Sequence, residues 1–177
     1  MDRPLIAFEG DRRIGDGPAA TLRDLLRARL AARPDPAHGP RLAVFDAETG
    51  RPVDFDLRET APPPAARGRP KLGVTAREVT LLPRHWDWLA TQPGGASATL
   101  RRLVETASRT QHGVDRVRQG REAAYRILTD LAGDRPGYEE AMRALFAGDA
   151  AGFARHTEGW PHDIRATGRA LGFPDPA

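Results

Sequence analysis

The sequence predicts an α+β chain in four parts: a small ββαββ unit over residues 1–60, a Pro-rich basic linker over 61–73, a strand–helix–helix segment over 74–112, and a helical region over 113–177. Three observations carry that expectation. Short β-type runs, one of them strictly alternating, flank a stretch of helical spacing in the first sixty residues. Three consecutive prolines, Pro62 to Pro64, favour an extended chain and cannot sit in a helix or central strand. Beyond Gly113 the apolar spacing is helical throughout.

Taken in order, "PLIAFEG" is a β-type run and "DRRIGDG" sets turn residues around one apolar position. "ATLRDLLRARLAARP" places Leu22, Leu25, Leu26 and Leu30 at helical spacing and stops at Pro34. "RLAVFDAETGRPVDFDLR" reads as a hairpin. Its first strand is Leu42 to Phe45, its turn passes through Glu48, Thr49 and Gly50, and its second strand alternates Val53, Phe55 and Leu57 with Asp54, Asp56 and Arg58. Those acids are expected on the solvated face of a sheet. The unit has no glycine-rich phosphate loop and no ligand cluster with metal spacing, so it reads as a partner-binding or scaffold module. In the last region, "VDRVRQGREAAYRILTDLAG" puts Val117, Ala124, Tyr125, Leu128 and Leu131 on one helical face. "DRPGYEEAMRALFAGD" gives a second helix, with Pro136 near its start and Gly148 past its end. "AAGFARHTEGW" and "PHDIRATGRALG" suggest two more short ones. His156 and His162 lie near Asp163 across a Gly-Trp-Pro break, a poor ligand pattern that surface or helix-end histidines explain more simply.

Composition bounds the function. An apolar share of 40% with 6% aromatics permits a modest core. With no Cys, the chain has no disulfide, thiolate nucleophile or Cys-based metal site. The start lacks a basic region followed by a long apolar run, and no stretch is long and apolar enough to cross a bilayer. A cytoplasmic location is expected, with no membrane association, cofactor or bound metal. The net charge of +3 is unevenly spread. Residues 1–60 carry 10 Arg against 11 acids, residues 61–126 carry 12 Arg and Lys against 5 acids, and residues 127–177 carry 5 Arg against 8 acids. The excess positive charge therefore lies in the middle, which points to a polyanion partner. No nucleophile–base pair or pair of acids stands at a useful spacing, and His85 beside Trp86 and Trp88 reads as a helix-start histidine packed on aromatics. An enzyme is not expected.

The middle holds the sharpest pattern. "ARGRPK" resembles the AT-hook motif, whose Arg-Gly-Arg-Pro core lies along the narrow minor groove of AT-rich DNA. Gly68 lets the backbone approach the groove floor, Pro70 holds the chain extended, and Arg67 and Arg69 enter a groove of enhanced negative potential. The competing reading is a charged linker. "AREVTLLPRHWDWLATQPGGASATLRRLVETA", Ala76 to Ala107, resembles the ribbon-helix-helix family of bacterial DNA-binding proteins, which includes repressors and antitoxins. A strand, Arg77 to Leu82, leads to Pro83 at the start of a helix that carries Trp86 and Leu89 inward. "TQPGGAS" breaks it, and Ser97 is a natural N-cap for a second helix with the apolar stripe Leu100, Leu103 and Val104. The span Pro83 to Gly94 makes the first helix about a turn shorter than the family's. Two strand registers remain open. Either Arg77, Val79 and Leu81 face the groove and Thr80 points inward, or Val79 and Leu81 are buried and Glu78 and Thr80 point out.

The resemblance implies a homodimer whose paired strands enter the major groove, with the second helix's N-terminus on a phosphate. Physics agrees about the dimer, because a lone ribbon strand has an unpaired edge in water. Lys71 and Arg84 are expected to neutralise phosphate, and Arg101, Arg102 and Arg109 to form a solvated face with general electrostatic pull. The run "RGRPKLG…REVTLLPRHWDWLA…QPGGAS…LRRLV" also resembles an uncharacterised bacterial family known only as a domain of unknown function, over most of the chain. The leading expectation is thus a dimeric DNA-binding protein of the nucleoid or of transcription regulation, on AT-rich duplex. The alternative is a protein–protein interaction module, antitoxin-like or scaffold, with an incidental basic linker and a partner on residues 1–60 or 113–177.

Overall fold

Leu5, Ile6, Ala7 and Phe8 are apolar in succession because their strand is covered on both faces. In the computed structural model, which describes residues 3–32, 39–57, 75 and 77–174, β1 (Leu5–Glu9) lies between β2 (Arg12–Gly17) and β3 (Leu42–Asp46) in an antiparallel sheet of order β2-β1-β3. Helix α1 (Ala19–Ala31) follows β2. Leu5 and Ala7 point to one side, where they meet Leu22, Leu26 and Val44. Ile6 and Phe8 point to the other, into a larger core with Ala43, Phe45, Ile127, Leu128, Leu145 and Phe153. Period-two geometry thus divides one strand between two cores.

The larger core is closed by helices far along the chain. These are the end of α3 (Gly95–Ala132), α4 (Tyr138–Ala147), α5 (Ala150–His156) and α6 (His162–Gly172). Gly148 ends α4 in the left-handed region at φ 76°, and the Asp149 carboxylate caps α5 by accepting from the Gly152 N–H at 2.8 Å. Trp160 donates its Nε1–H to the Pro136 carbonyl at 2.9 Å and stacks on Tyr138. The Arg13 N–H donates to Asp163 Oδ2 at 2.9 Å, which ties β2 to α6. Met1–Arg58 and Gly113–Ala177 consequently form one compact unit, and Glu59–His112 form a second. The sequence separates residues 1–60 from 113–177, but the Ile6–Phe8 face takes its cover from helices in the second of those segments.

Three further expectations are corrected. The stretch Val53 to Leu57 is not a fourth strand. The hairpin begins as expected, with Asp46 N–H donating to Arg51 O at 2.9 Å and Val53 N–H to Val44 O at 2.8 Å. Beyond Val53 the chain leaves the sheet because α1 takes over its carbonyls. Arg23 Nε donates to Asp56 O at 3.4 Å and Arg27 Nε to Leu57 O at 2.7 Å. Val53, Phe55 and Leu57 still pack on the smaller core, and Asp54 and Asp56 are exposed, so the alternation is kept without the ladder. Second, Gly113 does not separate two helices: α3 runs through it for 38 residues. A single interior glycine costs about 1 kcal/mol, too little to end a helix that has no proline. Third, Tyr125 is 40% exposed and leans on Phe146, because the buried face of this helix is centred on Ala123, Ala124, Ile127 and Leu128.

The turn after β3 shows why two of its residues are what they are. Asp46 Oδ1 accepts the Glu48 N–H at 3.0 Å and the Thr49 N–H at 2.7 Å. Burial alone raises the Asp46 pKa; the bonds from Thr49 and Glu48 and the charge of Arg3 outweigh it and hold the carboxyl below its ordinary 3.8. Gly50 sits at φ 68° with its Cα against the backbone of Ala123 in α3, so a Cβ there meets both a strained dihedral and a collision.

Candidate nucleic-acid interface

Within the Glu59–His112 unit, the described chain begins in earnest at Arg77. Arg67, Gly68, Arg69, Pro70 and Lys71, the AT-hook-like arm, lie outside the described residues. Arg77 is exposed. Residues 77–82 form no strand, since the described residues offer this edge no partner. Leu82 is extended, with φ −67° and ψ 149°, and Pro83 opens α2 (Pro83–Ala90) at a first-turn position that needs no amide hydrogen. Arg84 is exposed one residue later.

The break after α2 is sharper than a serine cap. Gly94 and Gly95 adopt φ of 82° and 73°, and Gly95 N–H donates to Gln92 O at 3.0 Å. These glycines let α3 start at Gly95, so Ser97 is not its N-cap. Ser97 is exposed inside the first turn, where its N–H is still one of the four that lack an intrahelical acceptor, and its carbonyl accepts from Arg101 Nε at 3.2 Å. Farther along, Arg101, Arg102 and Arg109 are exposed, and Arg109 pairs with Glu105 at 2.7 Å.

The apolar side of the unit departs most from expectation. Leu89 is buried, but Trp86 is 41% exposed, Trp88 50%, Leu103 45% and Val104 65%. The stripe meant to close a core is therefore open to solvent, because the described residues of this unit supply no layer to lie on it. Between α2 and α3 lies an open apolar pocket of about 270 Å³ lined by Leu81, His85, Trp88, Leu89, Leu100 and Leu103. Sequence reasoning missed this pocket, although Leu81, His85, Trp88 and Leu89 recur at helical spacing across the proline. Thr99, 1% exposed, has a hydroxyl without a hydrogen-bond partner.

Perturbed titrating groups lie in the other unit. Hydrogen bonds from His162 and from the Arg13 backbone hold Asp163 below its ordinary value. Burial raises the Tyr138 hydroxyl, whose Thr129 bond opposes the shift. His162 Nδ1 contacts Asp163 Oδ1 at 3.1 Å, and His156 is exposed at the end of α5. Among the described residues, no group of three or more His or acid side chains is placed to hold a metal ion, and no helix is long and apolar enough to cross a membrane. The arrangement can therefore offer cationic groups and apolar surface from one unit.

The model of the family described as "Uncharacterized protein conserved in bacteria (DUF2239)" matches residues 59–172, which covers the whole candidate interface and the helices beyond it. No curated protein and no solved structure matches the chain.

Proposed function

The chain belongs to the DUF2239 family of bacterial proteins, and from that premise we propose that the Glu59–His112 unit binds duplex DNA as part of a two-chain assembly. One observation carries the reading: charge divides along the boundary between the two units. Glu59–His112 holds eight Arg and Lys against four acids, whereas the rest of the chain holds 19 against 20. The five arginines of its described part are all exposed. Such a surface attracts a phosphate backbone by neutralising charge and releasing counterions. Arg67 and Arg69 lie in the minor groove of AT-rich sequence, while Arg77, Arg84 and the first turn of α3 at Ser97 face adjacent phosphates. In the assembly, residues 77–82 pair with their counterparts and gain the ladder that one chain lacks.

The test is fluorescence anisotropy with AT-rich and GC-rich duplexes across a salt series. Tight binding with an AT preference is expected, and the Arg67→Ala/Arg69→Ala protein should bind AT-rich duplex more than about tenfold more weakly at moderate salt. Equal affinity of the double variant ends the arm's role. A second reading, a protein-binding module, is favoured by the half-exposed Trp88 and the apolar pocket beside it. It predicts no duplex binding even at low salt.

A further inference from the structure

We propose that the cavity between the β1–β2 hairpin and α6 binds a small aliphatic α-amino acid, with Arg13 taking its carboxylate, Asp16 its ammonium group and the apolar walls its side chain. Every residue involved lies in the Met1–Arg58 and Gly113–Ala177 unit, and the test uses no duplex, so the inference stands apart from DNA binding.

An irregularity in the sheet builds this cavity. Residues three apart on a regular strand point to opposite faces. Along β2, Asp16 lies opposite Ile6, Gly15 opposite Ala7 and Arg13 opposite Phe8, so Ile14 is an extra residue, a β-bulge. Arg13 and Asp16 therefore both stand on the Ile6 and Phe8 face, the one that α6 helps to cover. Ile14 and Gly15 instead turn together towards Leu22 and Leu25 of α1. The Arg13 N–H, donated to Asp163 Oδ2 of α6 at 2.9 Å, pins the bulge. Bulges are over-represented next to active sites, where they re-aim a side chain.

The cavity holds about 210 Å³ and has a divided lining. Ile6, Ala47, Ala170 and Leu171 give it carbon walls, and Arg13 and Asp16 line it as an ion pair at 2.9 Å. Thr167, 1% exposed, belongs to the same lining, and its hydroxyl has no hydrogen-bond partner among the described residues. A buried polar group in that state calls for an explanation, and a ligand at this wall supplies one.

Charge and size select the ligand. Asp16 repels a lone anion and Arg13 a lone cation, while a neutral molecule gains from neither. Two opposite charges 2.9 Å apart are faced together only by a molecule that carries both on one compact head, as an α-amino acid does. Arg13 meets Asp16 through Nη2, and the rest of its planar fork can receive a carboxylate. The volume equals about seven waters at roughly 30 Å³ each. It lies below the roughly 300 Å³ at which drug-sized pockets begin, so it suits a branched aliphatic side chain and excludes a nucleotide.

The experiment is an NMR titration of the full chain with L-leucine and with two analogues that each lack one charge, isocaproate and isoamylamine. L-Leucine should saturate with a Kd between about 10 μM and 1 mM, and each analogue should bind at least about tenfold more weakly. Arg13→Gln and Asp16→Asn should each weaken L-leucine binding at least about tenfold with an unchanged circular dichroism spectrum. Ala170→Leu, at an exposed helical site where leucine is well tolerated, should do the same by occupying the cavity. Arg143→Gln, exposed on α4 and outside the cavity, should leave binding unaltered. Failure of L-leucine to saturate by about 10 mM, an analogue that binds as tightly as L-leucine, or a folded Arg13→Gln protein that binds like the wild type overturns the inference.

Discussion

If Arg101 and Arg102 face phosphate, replacing both with Ala should reduce the salt dependence of duplex binding by an amount the structure bounds. Among the described residues of the Glu59–His112 unit, Arg77, Arg84, Arg101 and Arg102 have no acidic partner, while Arg109 is held by Glu105 at 2.7 Å. Each phosphate neutralised contributes about −0.9 to the slope of log affinity against log salt. Four such arginines in each of two chains contribute at most about −7 to the slope, and the double variant, which loses half of them, keeps about −4 of that contribution. From 50 to 200 mM salt these contacts alone then cost the wild type about 10⁴-fold in affinity and the variant about 10²-fold. Arg67, Arg69 and Lys71 add equally to both proteins, so the difference in slope is the diagnostic quantity. Anisotropy titrations at four or more salt concentrations measure it. An unchanged slope in a folded, dimeric Arg101→Ala/Arg102→Ala protein refutes the idea that this half of α3 meets DNA.

Two predictions concern the Met1–Arg58 and Gly113–Ala177 unit. Gly50→Ala places a Cβ at φ 68° and against the Ala123 backbone, so it should destabilise by about 2–4 kcal/mol, read as a lower thermal midpoint; an unchanged midpoint would mean that the turn does not press on α3. Asp46 has a lower pKa folded than unfolded, so its contribution is fully present above the ordinary value of 3.8 and fades as the pH falls through the folded value. Asp46→Asn should therefore flatten the loss of stability below about pH 4 in urea unfolding, and a variant with the same acid limb as the wild type would assign that limb to other carboxylates.

Where a residue's local chemistry settled the matter, the fold was legible. Leu22 and Leu26 at helical spacing, Gly148 past the end of α4 and Pro83 at the start of α2 are all in the expected places. What failed was non-local. Nothing within residues 53–57 tells that Arg23 and Arg27, thirty residues earlier, will take the carbonyls a fourth strand needs. Nothing in "LIAF" says that its two faces are covered by segments on opposite sides of the linker. The glycines misled in both directions. Gly113 looked like a break but carries an intact helix, while Gly94 and Gly95 did more than punctuate and moved the start of α3 ahead of Ser97.

The candidate interface was legible as composition and hidden as geometry. Its charge excess can be counted from the sequence, but the stripe Leu100, Leu103, Val104 has the same periodicity whether it closes a core within one chain or waits for another. Exposure bears on the two cases: among the described residues, nothing covers Val104, 65% exposed, or Trp88, 50% exposed. The same helical period sorts side chains by face: Arg102, Glu105 and Arg109 lie on the half of α3 away from Leu100, Val104 and Ala107, whereas Arg101 lies at the edge of the stripe. In the proposed two-chain assembly, two copies double the cationic groups presented to one duplex. Apolar burial and counterion release respond differently to salt: raising it leaves an apolar interface nearly intact and weakens phosphate binding. If the two proposed chains pair through apolar surface, they are expected to stay paired when salt releases them from DNA.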